Sequence, residues 1–189
     1  MKSTGNKPNT HNRELGVYIL DMMIALAVGA NLLWAAVPTY SYVVHKNDIK
    51  SVTNRLFVSL NDARSEALRR SSSIRICPSA NGSSCRNDGD WSDGWLVFED
   101  VNANNAPGSA EIIEFIYELD GNVDVQVSTS FSDFVQFQPT GIAVGSSGNT
   151  GEFKLCHADS NSYSTAISIS ITGQVNHVNH TQTNCNPFY

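Results

Sequence analysis

From Val17 to Val37 only Asp21 is charged, and Lys2, Lys7 and Arg13 precede the run. As a helix at about 1.5 Å per residue, a stretch of this length covers the roughly 30 Å hydrocarbon core of a bilayer. The basic residues before it would keep the N-terminus in the cytoplasm. A carboxylate inside such a run costs roughly 2.5–3.5 kcal/mol on insertion scales, so its presence asks for a use. Gly16 stands at the boundary, five residues before Asp21, and Pro38 follows the run. On local pattern alone three other readings stay open. A secretory signal would need a better small-x-small site than Leu33 and Ala35 provide. A plain single-span anchor fits the length. A buried helix of a soluble protein is disfavoured by that same length.

The helical pattern continues past the apolar run. Ile49, Val52, Leu56, Leu60, Ala63 and Ala67 recur every three or four residues and define one apolar stripe. Asn47, Lys50, Asn54, Asn61, Arg64 and Arg69 fill the rest of the surface, and the helix is expected to end near Arg70. Residues 1–13 read as a disordered leader. Beyond Ser73 the pattern changes to short β-like runs, expected at Ile74–Cys77, Trp95–Glu99, Ile112–Glu118, Val123–Val127, Phe134–Phe137, Glu152–Leu155 and Ala166–Ile171. A long N-terminal helix followed by antiparallel strands is an α+β layout, with the amphipathic half of the helix covering one sheet face. The expected divisions are 1–16, a leader; 17–38, a membrane or fibre-core helix; 39–70, its amphipathic half; and 71–189, a β-rich domain.

The 189 residues carry a formal charge of −6. Without residues 1–16 the balance is 9 basic against 17 acidic, or −8, and no Lys or Arg follows Lys154. So acidic a surface repels phosphate backbones, and DNA is not an expected partner. Cys77, Cys85, Cys156 and Cys185 lack C-x-x-C spacing, and an exported domain would hold them oxidised. Four cysteines allow three pairings, which sequence alone does not separate. Cys77–Cys85 with Cys156–Cys185 is favoured: the first closes a turn of Pro78, Asn81, Gly82 and Ser84, and the second pins an Asn- and Thr-rich tail.

Asp100, Asn102, Asn104 and Glu111 match positions of a calcium-binding helix–loop–helix loop, although Asn105 stands where that loop has Gly. The strand-like flanks favour an ordinary Asn-rich hairpin loop, so no metal is expected. At least one of Trp91 and Trp95 should anchor the core. The histidines form no H-E-x-x-H pair, and His45 is expected at the surface. Neither a Gly-x-Ser-x-Gly elbow nor a phosphate-binding glycine loop occurs, so neither catalysis nor a cofactor is expected.

Gly16, the apolar run, Asp21 and Pro38 together resemble the class III signal of type IV pilins and pseudopilins. Leu60-Asn61-Asp62-Ala63-Arg64-Ser65-Glu66-Ala67-Leu68-Arg69-Arg70 resembles the helix-end signature of the GspH/FimT group of minor pilins and H-type pseudopilins. Cys77-Pro78-Ser79 through Cys85, then Asp90-Trp91-Ser92-Asp93-Gly94-Trp95, resembles the group's next block. Phe137-Gln138-Pro139-Thr140-Gly141 and Ser170-Ile171-Thr172-Gly173-Gln174-Val175 resemble its late strands. The resemblance implies a type IV pilin-like fold and cleavage after Gly16 by a prepilin peptidase. It further implies methylation of Val17, an Asp21 carboxylate that pairs with a neighbouring subunit's amine, and a helix kink at Pro38. The implied partners are other minor pilins, the major pilin, an inner-membrane assembly platform and, before assembly, the bilayer. The implied role is pilus assembly, near the tip; the alternatives are an H-type secretion pseudopilin and a DNA-binding minor pilin for natural transformation. The implied location is the inner membrane with a periplasmic domain, then the pilus at the cell surface.

This chain departs from the group's pattern in two places. Asp21 and Val17-Tyr18 stand where members usually carry Glu and Phe-Thr; Asp keeps the charge but shortens the reach by one methylene. Members that capture DNA carry arginines in a Gly-Arg-x-Arg pattern, and the matching positions here read Gly173-Gln174-Val175-Asn176. The basic residues Arg64, Arg69, Arg70, Arg75 and Arg86 are instead expected to solvate a helix end and pair with nearby acids.

Overall fold

The computed structural model describes residues 11–117, 119, 122–157 and 160–178, without the side chains of 11–17, 33–39, 41–42 and 160–163. Residues 1–10, most of the expected leader, lie outside it, as do Glu118, His180 and Cys185. The chain divides into two compact units, Met1–Val43 and Val44–Tyr189. Helix α1 runs His11–Arg70. It ends where expected but starts earlier: residues 11–13, read as leader, are helical, because Arg13, Glu14 and Leu15 extend a helix readily.

In the first unit nearly every described side chain from Tyr18 to Leu32 is exposed, including Ile19 at 64 %, Met22 at 72 % and Leu26 at 73 %. Among the described residues no helix is long and apolar enough to cross a membrane. The span expected over 17–38 includes Val17 and residues 33–38, whose side chains lie outside the description.

In the second unit all strand pairings are antiparallel. The strands are β1 (Ile74–Pro78), β2 (Gly94–Glu99), β3 (Ile112–Tyr117), β4 (Val123–Val127), β5 (Val135–Phe137), β6 (Ala143–Gly145), β7 (Gly151–His157), β8 (Ser160–Ile169) and β9 (Val175–Val178). One sheet has the order β3-β2-β1-β5-β6 and the other β4-β7-β8-β9. β6 and β9 were not expected, and β8 begins and ends earlier than the run Ala166–Ile171. A turn closed by Gly173 N–H donating to Ser170 O (2.8 Å) stops it before Ile171.

Every member of the predicted stripe, Ile49, Val52, Leu56, Leu60, Ala63 and Ala67, is buried. They share one core with Ile74, Ile76, Trp95, Val97 and Phe137 of the first sheet and Val125, Phe153, Leu155 and Ile167 of the second. Alternation along β1 and β2 sends Cys77, Leu96 and Phe98 to the other face of the first sheet, where they form a separate cluster. Trp91 and Trp95 are fully buried; Trp91 donates its indole N–H to Ser132 O (3.0 Å) and meets Phe153 edge-on at 4.9 Å. His45, expected at the surface, is half-buried, whereas His177 is exposed. His45 stacks on buried His157 at 3.7 Å, and Phe57 stacks on His177 at 4.1 Å, because flat rings fill the gap between helix and sheet.

Candidate functional site

Four features of the sequence bear on function: the helix start, the helix end, the cysteine loop and the Asn-rich loop. Gly16, Val17 and Pro38 lie within α1, with Val17 and Pro38 side chains outside the described set. Asp21 is exposed among Tyr18, Ile19, Leu20, Met22 and Ile24, which are all more than half exposed. Among the described residues it has neither ion pair nor hydrogen bond. An apolar surface this continuous, holding one carboxylate, is suited to burial against other helices or lipid.

At the other end of α1 the motif residues converge. Arg64 donates from Nε to Gly141 O (3.2 Å) and from Nη2 to Thr172 O (3.0 Å). These carbonyls belong to two turns, one closed by Gly141 N–H to Gln138 O (2.7 Å) and the other by Gly173 N–H to Ser170 O. Gly173 has φ +73°, and a Cβ there would lie 2.0 Å from Gly141 O, so the two turns touch only because it is glycine. The Gln-Pro-Thr-Gly and Ile-Thr-Gly stretches are therefore two halves of one clasp on the helix.

Two residues later Glu66 binds Arg69 and Arg70, each at 2.5 Å, and Arg70 reaches Glu99 of β2 at 2.8 Å. Hydrogen bonds from Arg70 first, and then Arg69, hold the Glu66 carboxyl below its ordinary value. Arg69, Arg70 and Arg86 pair with acids as expected, but two of the five arginines do not. Arg64 serves carbonyls. Arg75 is buried, stacks over Phe134 at 4.0 Å and binds Gln136 (2.7 Å) and Asn105. Burial lowers the Arg75 guanidinium from its ordinary value, partly offset by Asp100. A basic residue alternating with Ile74 and Ile76 on central strand β1 reads as solvent-facing and carries no sequence signal for such burial.

The expected Cys77–Cys85 disulfide is formed, with Cα atoms 5.5 Å apart. Cys156, at the end of β7, is also disulfide-bonded, and Cys185, expected as its partner, lies outside the described residues. Asn81 Oδ1 accepts from the Ser83 and Ser84 amides at 3.0 Å and shapes the loop between the cysteines.

In the Asn-rich loop, Asp100 accepts the amides of Asn104 (3.1 Å) and Asn105 (3.2 Å). Asn102 Oδ1 also accepts from the Asn104 amide, and Asn104 Oδ1 from the Ala106 amide. Glu111 accepts from Gly108 N–H (2.8 Å) and the Asn102 side chain (3.0 Å). The oxygens that matched a calcium loop are thus turned onto their own backbone.

A groove of about 280 Å³ lies between α1 and edge strand β3, lined by Asn54, Arg55, Val58, Ser59, Glu114 and Ile116. Gly173-Gln174-Val175-Asn176 forms the turn into β9, without the paired arginines of the DNA-capturing pattern.

A family model described as "Type II transport protein GspH" matches residues 52–173. That span contains the stripe from Val52 onward, Arg64, the cysteine loop and both clasp turns. Among solved structures, the type IV minor pilin FimU of Pseudomonas aeruginosa is similar in fold. In space group P21 its TM-score is 0.57 at 17 % identity, covering 72 % of this chain and 92 % of that one. In space group P65 the TM-score is 0.49 at 18 % identity, covering 69 % and 92 %. No curated protein matches the chain.

Proposed function

The chain belongs to the GspH family, and from that premise we propose that it works as a processed minor pilin incorporated into a type IV pilus, near its tip. The observation that carries this reading is Asp21 alone on an exposed apolar helix surface. In water such a surface has no stable use, whereas a bundle of identical helices would bury it and give the carboxylate a partner.

In this reading a prepilin peptidase removes residues 1–16 by cutting after Gly16, and Val17 becomes the methylated N-terminus. Residues 17–38 first span the inner membrane and then enter the fibre, with Pro38 as the bend that fits one helix beside the next. The Asp21 carboxylate pairs with the new amine of an adjacent subunit. Two unit charges about 4 Å apart attract by about 4 kcal/mol at an effective dielectric of 20, enough to fix the register. Residues 39–70 and the domain 71–189, held by a Cys156–Cys185 bridge as well as Cys77–Cys85, face the periplasm and contact other minor and major pilins. The inner-membrane platform drives insertion. The chemistry is assembly, with no catalytic step.

The description of the matched family favours a second reading, the H-type pseudopilin of a type II secretion system. Both share the maturation step, so the deciding test comes first. Intact mass and N-terminal sequencing of membrane-extracted protein, with and without a prepilin peptidase, should give a methylated chain beginning at Val17 only when the peptidase is present. An uncut chain, or one cut near Ala36, overturns both readings. Recovery of the mature chain in sheared pili, rather than a secretion defect on its deletion, then separates them. Normal processing of Gly16→Val would remove Gly16 as the cleavage site.

A further inference from the structure

The first sheet of the second unit has two covered faces. One packs on α1. The other carries Cys77, Leu96 and Phe98, with Cys85, Ile112, Phe115 and Phe134 packed around them, and none of these belongs to the main core. The segment 79–89 lies over this outer cluster. A Cβ added to Gly82 would come within 2.4 Å of Phe115 Cδ1, so the loop backbone rests on that ring.

Few bonds hold the segment there. Ser79 N–H donates to Gly94 O (3.1 Å) and Arg86 N–H to Pro78 O (2.8 Å). Arg86 also forms ion pairs with Asp90 (3.3 Å) and Asp93, whose side chains are 43 % and 56 % exposed, and such pairs hold weakly. Among the described residues the remaining hydrogen bonds of 79–89 stay inside the segment, apart from that of the Asp90 amide to Asp88. Beyond residue 90 the chain is anchored again by Trp91 on Ser132 O and by Ser92 Oγ, which accepts from Val125 N–H (3.0 Å). The disulfide is therefore the principal attachment of a lid whose two ends are fixed independently of it.

We propose that the Cys77–Cys85 bridge is a redox-operated latch: opened by a small dithiol, it frees segment 79–89 and uncovers Phe115 and Leu96, which pairs with both Phe115 and Cys77 across the sheet, while the core beneath α1 stays closed. Cys77 is fully buried and Cys85 only partly, so the attacking thiolate reaches Cys85 Sγ. The new S–S bond joins the reductant to Cys85, and the Cys77 thiolate leaves and takes a proton. The second thiol of the reductant then attacks its own mixed disulfide and releases Cys85. The dithiol ends as a cyclic disulfide, and two electrons and two protons end on the cysteines. A subunit with the latch open would present an apolar patch that the oxidised subunit hides, so oxidation becomes a condition for a non-adhesive domain.

The test uses the detergent-solubilised full chain, reduced under native conditions by graded dithiothreitol and quenched by alkylation. Mass spectrometry identifies which bridge has opened. In molecules open at Cys77–Cys85, amide exchange over 79–89 and on edge strand β3 should rise by roughly a hundredfold, the factor expected from losing a short closed loop. Fluorescence of a dye that lights up on apolar surfaces should rise above that of the oxidised chain in the same detergent, while exchange over 49–67 stays unchanged. The double variant Cys77→Ala with Cys85→Ala, which leaves Cys156 oxidised, should reproduce this without reductant. Unchanged exchange and no added dye fluorescence over the oxidised chain in the opened molecules would overturn the latch. Equal loss of protection over 49–67 in wild-type molecules opened only at this bridge would also overturn it, because the effect would then be global.

Discussion

Arg64 acts through geometry rather than charge balance, because both its acceptors are backbone carbonyls of turns that a Gly173 side chain would push apart. Arg64→Ala should therefore destabilise the domain by about 1–3 kcal/mol, the range for losing hydrogen bonds from a charged donor. Arg64→Lys should recover only part of this, since an ammonium lacks the planar fork that serves two carbonyls. Gly173→Ala should cost a similar ~1–3 kcal/mol by forcing Cβ against Gly141 O at positive φ. Urea denaturation of the three variants checks the order. Glu66 gives a pH effect of defined sign. Its folded carboxyl lies below the ordinary 4.5, so its contribution is complete above that value and is lost as pH falls through the lowered one. Glu66→Gln should reduce stability at pH 7, and its difference from the wild type should shrink as pH falls below 4.5 and vanish only below the lowered value, as acid titrations of both proteins by circular dichroism would reveal. At this scale the sequence was legible in part. The Arg and Gly residues stood out in motifs, but that residues 64, 141 and 173 meet depends on the long-range closure of both sheets.

Periodicity made α1 the most readable element. Six stripe residues were named from spacing alone, and all six are buried, because a 3.6-residue repeat leaves an amphipathic helix one way to face a core. Leu60→Ala should cost about 2–5 kcal/mol, while Val58→Ala, on the 53 % exposed side of the same turn, should stay within about 0.5 kcal/mol. Thermal or urea unfolding of both would break the account if the two costs were alike. The strands were less legible, for a physical reason. β4 matches its expected bounds because Val123, Val125 and Val127 alternate with polar residues. β6 is three residues long and ends in Gly145, and β9 reads Val-Asn-His-Val, too little apolar pattern to register. The first half of β8 is Ser, Asn, Tyr and Thr, and its pairing with β7, rather than its own propensity, makes it a strand. His45 and Phe57 were similarly hidden, since the rings they stack on lie more than a hundred residues away.

For the molecule as a whole, the division at Val43 and Val44 sets an expectation about where the fold resides. Every stripe residue from Ile49 to Ala67, the His45–His157 stack, the clasp and both sheets fall within the second unit. A chain beginning at Val44 therefore keeps all the apolar surface that this unit's core buries, and it should fold without lipid or detergent and unfold in one cooperative transition. A chain beginning at Leu60 lacks Ile49, Val52 and Leu56. Each buried aliphatic side chain contributes roughly 1.5–3 kcal/mol, so their joint loss approaches the whole stability of a typical domain. That shorter chain should be unfolded or aggregated. Circular dichroism and analytical ultracentrifugation of the two truncations decide the matter. If the Val44 chain failed to fold, residues before it would be contributing to the core, and the exposed apolar helix could no longer be assigned wholly to contacts with lipid or other subunits. If it folds while the full chain needs detergent, the apolar residues 18–32 are left with assembly as their work.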